Sequence, residues 1–229
     1  TLALVGAKVA EGPSFVELNH LVENLSIAAG IPKPKVYYIV DNSPNAFATG
    51  RDPNHAAVCV TTGLLEILEK AELEGVLAHE LSHIKNFDTR LMAVVSILVG
   101  LLVTLIDHSF RFGSFRGGDR DNDKRLGGVF ILVFFLVMLL TPLLAEIIKM
   151  AISRNREYLA DASGAYLTRY PKGLADALVK ISGYKGSVKS ATSGNAHMFF
   201  ANPLNKKSVI NLFSTHPPVE ERIARLLRM

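Results

Sequence analysis

The stretch Leu77-Ala78-His79-Glu80-Leu81-Ser82-His83-Ile84 decides how this chain is read. Leu73, Val76, Leu77, Leu81 and Ile84 recur at helical spacing and predict an amphipathic helix from about Ala71 to Phe87. Residues four apart on a helix stand one above the other on one face. His79 and His83 therefore aim two imidazoles at one point, with Glu80 beside them. Two imidazoles and one carboxylate are a donor set suited to zinc, with a fourth position left for water. Zinc lowers the pKa of that water to ~7, where a neighbouring carboxylate can take its proton. Two solvated histidines on an ordinary core helix would show the same pattern, so a third ligand is the test.

Upstream of this helix the sequence predicts a helix over Pro13 to Ala29, with Phe15, Leu18, Val22 and Leu25 inward and Gly30 as its stop. Val36 to Val40 reads as a strand ended by the turn Asp41-Asn42-Ser43-Pro44, and His55 to Val60 as a second strand. Thr61 or Thr62 caps a short helix, Leu64 to Lys70. A small sheet before a metal helix suits a peptidase, because a substrate strand can add to its edge through main-chain hydrogen bonds. On that reading the peptide lies along Val58 to Val60, beside Asn45, Ala46, Phe47 and Ala48. An ordinary hairpin over Asn45 to Gly50 fits the composition equally well.

Downstream, Leu91 to Ile106 carries no charge over sixteen residues. As a helix it covers ~24 Å, short of the ~30 Å hydrocarbon core. Leu126 to Ala145 is charge-free over twenty residues, enough for a span, with a kink at Pro142. Between them lies a polar loop, 107–125, rich in Gly, Arg and Asp. The pattern predicts a hydrophobic helical hairpin that returns the chain to the side it left. Arg111, Arg116, Arg120, Lys124 and Arg125 in the loop balance Lys85, Arg90, Lys149, Arg154 and Arg156 on the flanks, so charge assigns no orientation. The two apolar runs raise the mean hydropathy to +0.26 and bring a lipid bilayer in as partner. The net charge of +4 includes no long basic tract, so no nucleic-acid partner is inferred. The single Cys59 sits in an apolar run and reads as a small buried hydrophobe. The chain opens on Thr1 with no recognisable signal peptide, and an absent N-terminal part is expected.

The helix that leaves the second run continues into Arg156-Glu157-Tyr158-Leu159-Ala160-Asp161. Glu157 and Asp161 share a face. They supply either one more metal ligand and an acceptor for a histidine N–H, or merely two members of a solvated face paired with Arg154 and Arg156.

His79-Glu80-Leu81-Ser82-His83, with Asn45-Ala46-Phe47-Ala48-Thr49-Gly50 before it and Arg156-Glu157-Tyr158-Leu159-Ala160-Asp161 after it, resembles the HtpX family of membrane zinc metalloproteases. Ser214-Thr215-His216-Pro217-Pro218-Val219-Glu220-Glu221-Arg222-Ile223 fits the same family, and the match runs from about Glu11 to the end of the chain. The resemblance implies a gluzincin in which His79, His83 and Glu157 bind one Zn2+, Glu80 is the general base and Asp161 orients a histidine. It also implies a heat-shock-related quality-control peptidase that cuts unfolded or damaged membrane proteins. Such an enzyme is a multi-pass protein of the bacterial or archaeal inner membrane, with its catalytic domain facing the cytoplasm. Family members carry two further N-terminal membrane segments.

The expected fold is α+β, mainly α: a zincin-like metalloprotease domain with a small sheet and an inserted hydrophobic (transmembrane) helical hairpin. Residues 1–90 and 149–229 form the two parts of the catalytic domain, and 91–148 the hairpin. Lys172 to Ser182 is a short helix, Gly183 to Asn195 a loop, and Ala196 to Phe200 either an aromatic plug of the core, the commoner use of such a cluster, or part of a substrate cleft. His216 is either a cap of the last helix or a donor to the oxyanion of the tetrahedral intermediate. Arg222 is placed among the substrate-binding residues, or else orients His216 or binds an acidic neighbour. Two other functions stay open: a zinc-binding membrane scaffold that does not cut, and a processing peptidase of the prenyl-protein (CAAX) type.

Overall fold

The computed structural model describes residues 6–88, 153–184 and 217–229, together with Leu2, Arg90, Leu91, Val94 and Thr104. The chain divides into two compact units, Thr1–Arg90 with Ser153–Met229, and Leu91–Ile152. The expected hairpin of 91–148 lies outside the described residues, apart from Leu91, Val94 and Thr104, and so do His216 and the Ala196 to Phe200 cluster. Among the described residues no helix is long and apolar enough to cross a membrane.

Four strands make one mixed sheet. They are β1 (Lys8–Val9), β2 (Lys35–Ile39), β3 (Ala46–Gly50) and β4 (Ala56–Thr61), in the order β1-β2-β4-β3. β2 and β4 are parallel, whereas β1 and β3 pair antiparallel to β2 and β4 respectively. The period of two along β4 sorts its side chains. Val58 and Val60 join the main core, while Cys59 joins Ile39 and Phe47 on the other face. β4 starts one residue later than the sequence suggests, because Asp52 accepts from the His55 N–H at 3.0 Å and closes a 3-10 turn over Pro53–His55.

The helices end where local chemistry stops them. α1 (Val16–Ala29) follows a 3-10 turn at Pro13–Phe15 and ends on Gly30, whose φ of 70° is open to glycine at no steric cost. Its Leu18, Leu21, Val22 and Leu25 face the main core. α2 (Thr62–Ile67) starts on Thr61, whose hydroxyl accepts from the Leu64 N–H at 3.3 Å. α3 (Lys70–Lys85) opens on a capping box in which Glu72 accepts from the Glu69 N–H at 2.7 Å. That box explains why α2 and α3 are two helices: the chain must extend at Leu68 and Glu69 to make it. α3 packs its Leu73, Val76, Leu77 and Leu81 into the same core as Val36, Val58 and Val60 of the sheet.

One expectation is corrected here. A peptide cannot pair along Val58 to Val60, because β4 is the inner strand, bonded to β2 on one side and to β3 on the other. Both valine side chains are buried in the core. Among the described residues β3 is the outer strand next to β4. Asn45 precedes it and is turned into the sheet: its N–H donates to Thr61 Oγ1 at 2.9 Å, and its carbonyl accepts from the Thr61 N–H at 3.0 Å. Ala46 and Phe47 have buried side chains.

The helix α5 (Pro171–Ser182) lies against α3 at Gly75. A Cβ added there would stand 2.8 Å from the Leu174 nitrogen and 2.9 Å from its Cα, both backbone atoms that cannot rotate away. Gly75→Ala therefore sets a helix-propensity gain of about 1 kcal/mol against an overpacking loss of about 1–3 kcal/mol. The loss is expected to win. Urea unfolding should show a lower midpoint for the variant with the same m-value, and a midpoint at or above that of the parent chain would show the contact to be loose.

Candidate metal centre

Two helices bring the site together. α3 supplies His79, Glu80 and His83, and a second helical run, 153–168, here called α4, supplies Glu157 and Asp161. The histidines do converge: their Nε2 atoms are 3.1 Å apart and their rings meet edge to face. Glu157 closes the triangle, with Oε2 3.7 Å from His79 Nε2 and Oε1 3.5 Å from His83 Nε2. One donor atom from each of these three residues lies within 4.8 Å of the others. Donors held about 2.0–2.2 Å from one zinc in a tetrahedron stand roughly 3.3–3.6 Å from each other. The observed separations of 3.1, 3.5 and 3.7 Å scatter about that edge length.

Behind each imidazole stands a carboxylate. His79 Nδ1 is 2.9 Å from Asp161 Oδ1 and His83 Nδ1 is 2.7 Å from Asp88 Oδ2. Donation of Nδ1–H to these acceptors leaves each Nε2 as a lone pair facing Glu157. The rest of the shell is cationic. Arg222, on α6 (Val219–Leu226), donates through Nε and Nη2 to the two oxygens of Asp161 at 2.8 and 2.6 Å, and its Nη1 is 3.4 Å from Glu157 Oε2. Arg156 donates to Asp88 and, at 2.8 Å, to the Asn86 carbonyl.

Burial and charge set the protonation. Burial pushes the His79 imidazole down to about 4, outweighing Asp161, so it is neutral near pH 7. Burial disfavours charge on His83 as well, but the Glu157 carboxylate outweighs it and, with Glu80, holds that imidazole above the ordinary histidine value. Burial would raise Asp161, yet Arg222 keeps its carboxyl below the usual range. Glu80 is buried beside them, near enough to act on both His83 and Arg222. The carboxylates of Glu80, Asp88, Glu157 and Asp161 face the guanidinia of Arg156 and Arg222. Donor types, spacing and tautomers all fit a zinc-sized ion.

The sequence-predicted residues divide as follows. His79, Glu80, His83, Glu157 and Asp161 are brought together. Arg222 is corrected: a guanidinium 1% exposed and bidentate to Asp161 does not meet a peptide as expected, but binds the acidic neighbour. Sequence reasoning missed Asp88 and the use of Arg156. A signal was present, since two ligating histidines need two acceptors for their Nδ1–H groups, and Asp161 answers for one.

Close approach of α4 to α3 makes the convergence possible. A Cβ on Gly164 would stand 3.0 Å from the His79 nitrogen and 3.2 Å from its Cα. Gly164→Val is expected to push α4 off α3 at the level of His79, costing about 1–3 kcal/mol. Differential scanning calorimetry should show a lower melting temperature, together with a reduced metal content. An unchanged melt would mean that the two backbones are free to separate.

The family model described as Peptidase family M48 matches residues 14–229. A Protease HtpX homolog of Caldanaerobacter subterraneus subsp. tengcongensis is 50% identical over 230 residues, covering 98% of this chain and 76% of that protein. The Protease HtpX homolog of Dictyoglomus turgidum is 51% identical over 224 residues, covering 98% of this chain and 73% of that protein. Among solved structures, the crystal structure of S. mikatae Ste24p matches with a TM-score of 0.62 at 24% identity, over 98% of this chain and 55% of that one. At that identity the last likeness carries the fold alone.

Proposed function

The chain belongs to peptidase family M48 and is a membrane metalloprotease of the HtpX type, and on that premise we propose that it is a zinc endopeptidase whose metal is held by His79 Nε2, His83 Nε2 and Glu157. The single observation that carries the reading is the convergence of these three side chains from two helices, with donor atoms within 4.8 Å of one another.

A zinc ion bound there supplies Lewis-acid polarisation of the scissile carbonyl and water of lowered pKa. The chain's own residues do the rest. Glu80 takes the proton of the attacking water on its carboxylate and passes it to the leaving amine. Its burial supports this role, because a carboxylate next to a site closed to bulk water keeps its proton for the reaction. Asp161, held by Arg222, fixes His79 with its proton on Nδ1. The substrate peptide lies extended beside Asn45 to Ala48 rather than along the inner strand β4. His216 donates to the oxyanion, a role that follows from its place in the family motif.

We infer that the substrates are unfolded or damaged membrane proteins. We also infer that the apolar runs 91–106 and 126–145 hold the chain in a membrane as a multi-pass protein, and the family resemblance supports an inner membrane with the catalytic part on its cytoplasmic side. The relatives at about half identity are named HtpX homologues, which favours this reading over a peptidase for prenylated proteins. A scaffold has no use for a carboxylate buried beside the metal ligands.

Two variants test the reading. Glu80→Gln is expected to keep its zinc while casein cleavage falls by about 10²–10⁴-fold. Turnover at the parent rate would remove Glu80 as the base. Glu157→Ala is expected to lose most of its metal by elemental analysis, and full zinc content in that variant would reassign the third ligand.

A further inference from the structure

The two imidazoles are held by matching devices, and the second of them has no assigned role. Behind His79 stand Asp161 and Arg222. Behind His83 stand Asp88, 2.7 Å from Nδ1, and Arg156, whose Nε and Nη2 both donate to Asp88 Oδ1. We propose that Asp88 and Arg156 are positioning residues of the metal centre: Asp88 fixes His83 with its proton on Nδ1 and its Nε2 toward the ion, and Arg156 holds Asp88 there while tying the end of α3 to the helix that carries Glu157. The proposal rests on the reading of His79, His83 and Glu157 as zinc ligands.

Four observations carry it. Asp88 lies on the far side of the His83 ring from Glu157, so it acts on the histidine rather than as a further ligand. It is buried, and a buried carboxylate without partners is costly, so its two contacts are a built arrangement rather than a surface pairing. Arg156 also donates to the Asn86 carbonyl, one of the last of α3, where the helix dipole favours a cation. Finally, Phe87 has a φ of 57°, a left-handed conformation for a residue with a side chain. That conformation is disfavoured for a residue with a Cβ. It reverses the chain directly after the helix and returns Asp88 to a histidine only five positions earlier. On α4, neighbours in sequence point about 100° apart, so Arg156 reaches Asp88 while Glu157 faces the two Nε2 atoms.

The test is zinc affinity of the full chain, measured by competition with a fluorescent chelator, for Asp88→Ala, Arg156→Gln, their double variant and Glu157→Ala. Asp88→Ala and Arg156→Gln are each expected to weaken zinc binding by about 10- to 100-fold. The double variant should be weakened by less than the product of the two single effects, because Arg156 acts largely through Asp88. In the zinc-loaded protein, the downfield Nδ1 proton resonance of His83 should vanish in Asp88→Ala while that of His79 stays. Arg156→Lys keeps the charge without the fork and should recover part of the affinity. Unchanged affinity in Asp88→Ala, with zinc lost in Glu157→Ala, overturns the relay alone. Zinc retained in Glu157→Ala overturns the ligand set and the relay with it. If circular dichroism shows that Asp88→Ala does not fold, Asp88→Asn decides: its amide oxygen still accepts from Nδ1 but cannot pair with Arg156. About tenfold weaker binding supports the relay, and parent affinity refutes it.

Discussion

Charge enclosed away from water is the constraint on which this structure depends. Four carboxylates, two imidazoles and two guanidinia crowd around the point where His79, His83 and Glu157 converge, and all but Arg156 and His83 are nearly inaccessible. An isolated charge is not tolerated in such a place; each must meet a partner of opposite sign with good geometry. The pairings cross the fold for that reason. Asp161 of α4 reaches back to His79 of α3 and forward to Arg222 of α6, while Asp88 joins His83 to Arg156. Among the described residues, these pairings surround the place where three side chains offer donors to a cation.

The apolar residues set where those charges stand. α3 turns Leu73, Val76, Leu77 and Leu81 toward the sheet and α1, and the opposite side of the same helix carries the histidines. Ala160 and Gly164 let the α4 backbone approach α3, so that Glu157 and Asp161 arrive at hydrogen-bonding range instead of spanning a gap with flexible stems. α6 is docked by Leu226 in the core and by Arg225 stacked 3.7 Å over the Tyr158 ring, which places Arg222 at the site. Ligands carried on packed helices hold their geometry better than ligands on loops, because their rotamers are fixed by neighbours. The sheet contributes in another way. Its inner strand β4 anchors α2 and α3, and β3 lies outside it.

Much of this was legible in the sequence. The helical spacing of Leu73, Val76, Leu77, Leu81 and Ile84 predicted α3 and its two stacked histidines, and Gly30 and Thr61 marked helix ends at or next to the observed ones. Such signals are local: a period, a cap or a proline acts within four residues of itself. Two expectations failed for the opposite reason. Val58 to Val60 looked like an edge for a peptide, but whether a strand is inner or outer depends on which distant segments pair with it, and β2 pairs with β4 from more than fifteen residues away. Arg222 looked available to a substrate, because nothing in its own segment shows that Asp161, sixty-one positions earlier, is buried beside it.

The sequence by itself therefore determined the donor types, the face of α3 on which two of them stack, and the period-two strands that support that helix. It did so because periodicity and capping depend on covalent geometry close along the chain. The tertiary structure alone decided which carboxylate stands behind which imidazole, which arginine pairs with which carboxylate, and which strand is inner and which outer. Those choices are made by burial, which forces charges far apart in sequence to find one another when water is removed, and no local rule encodes the pairing.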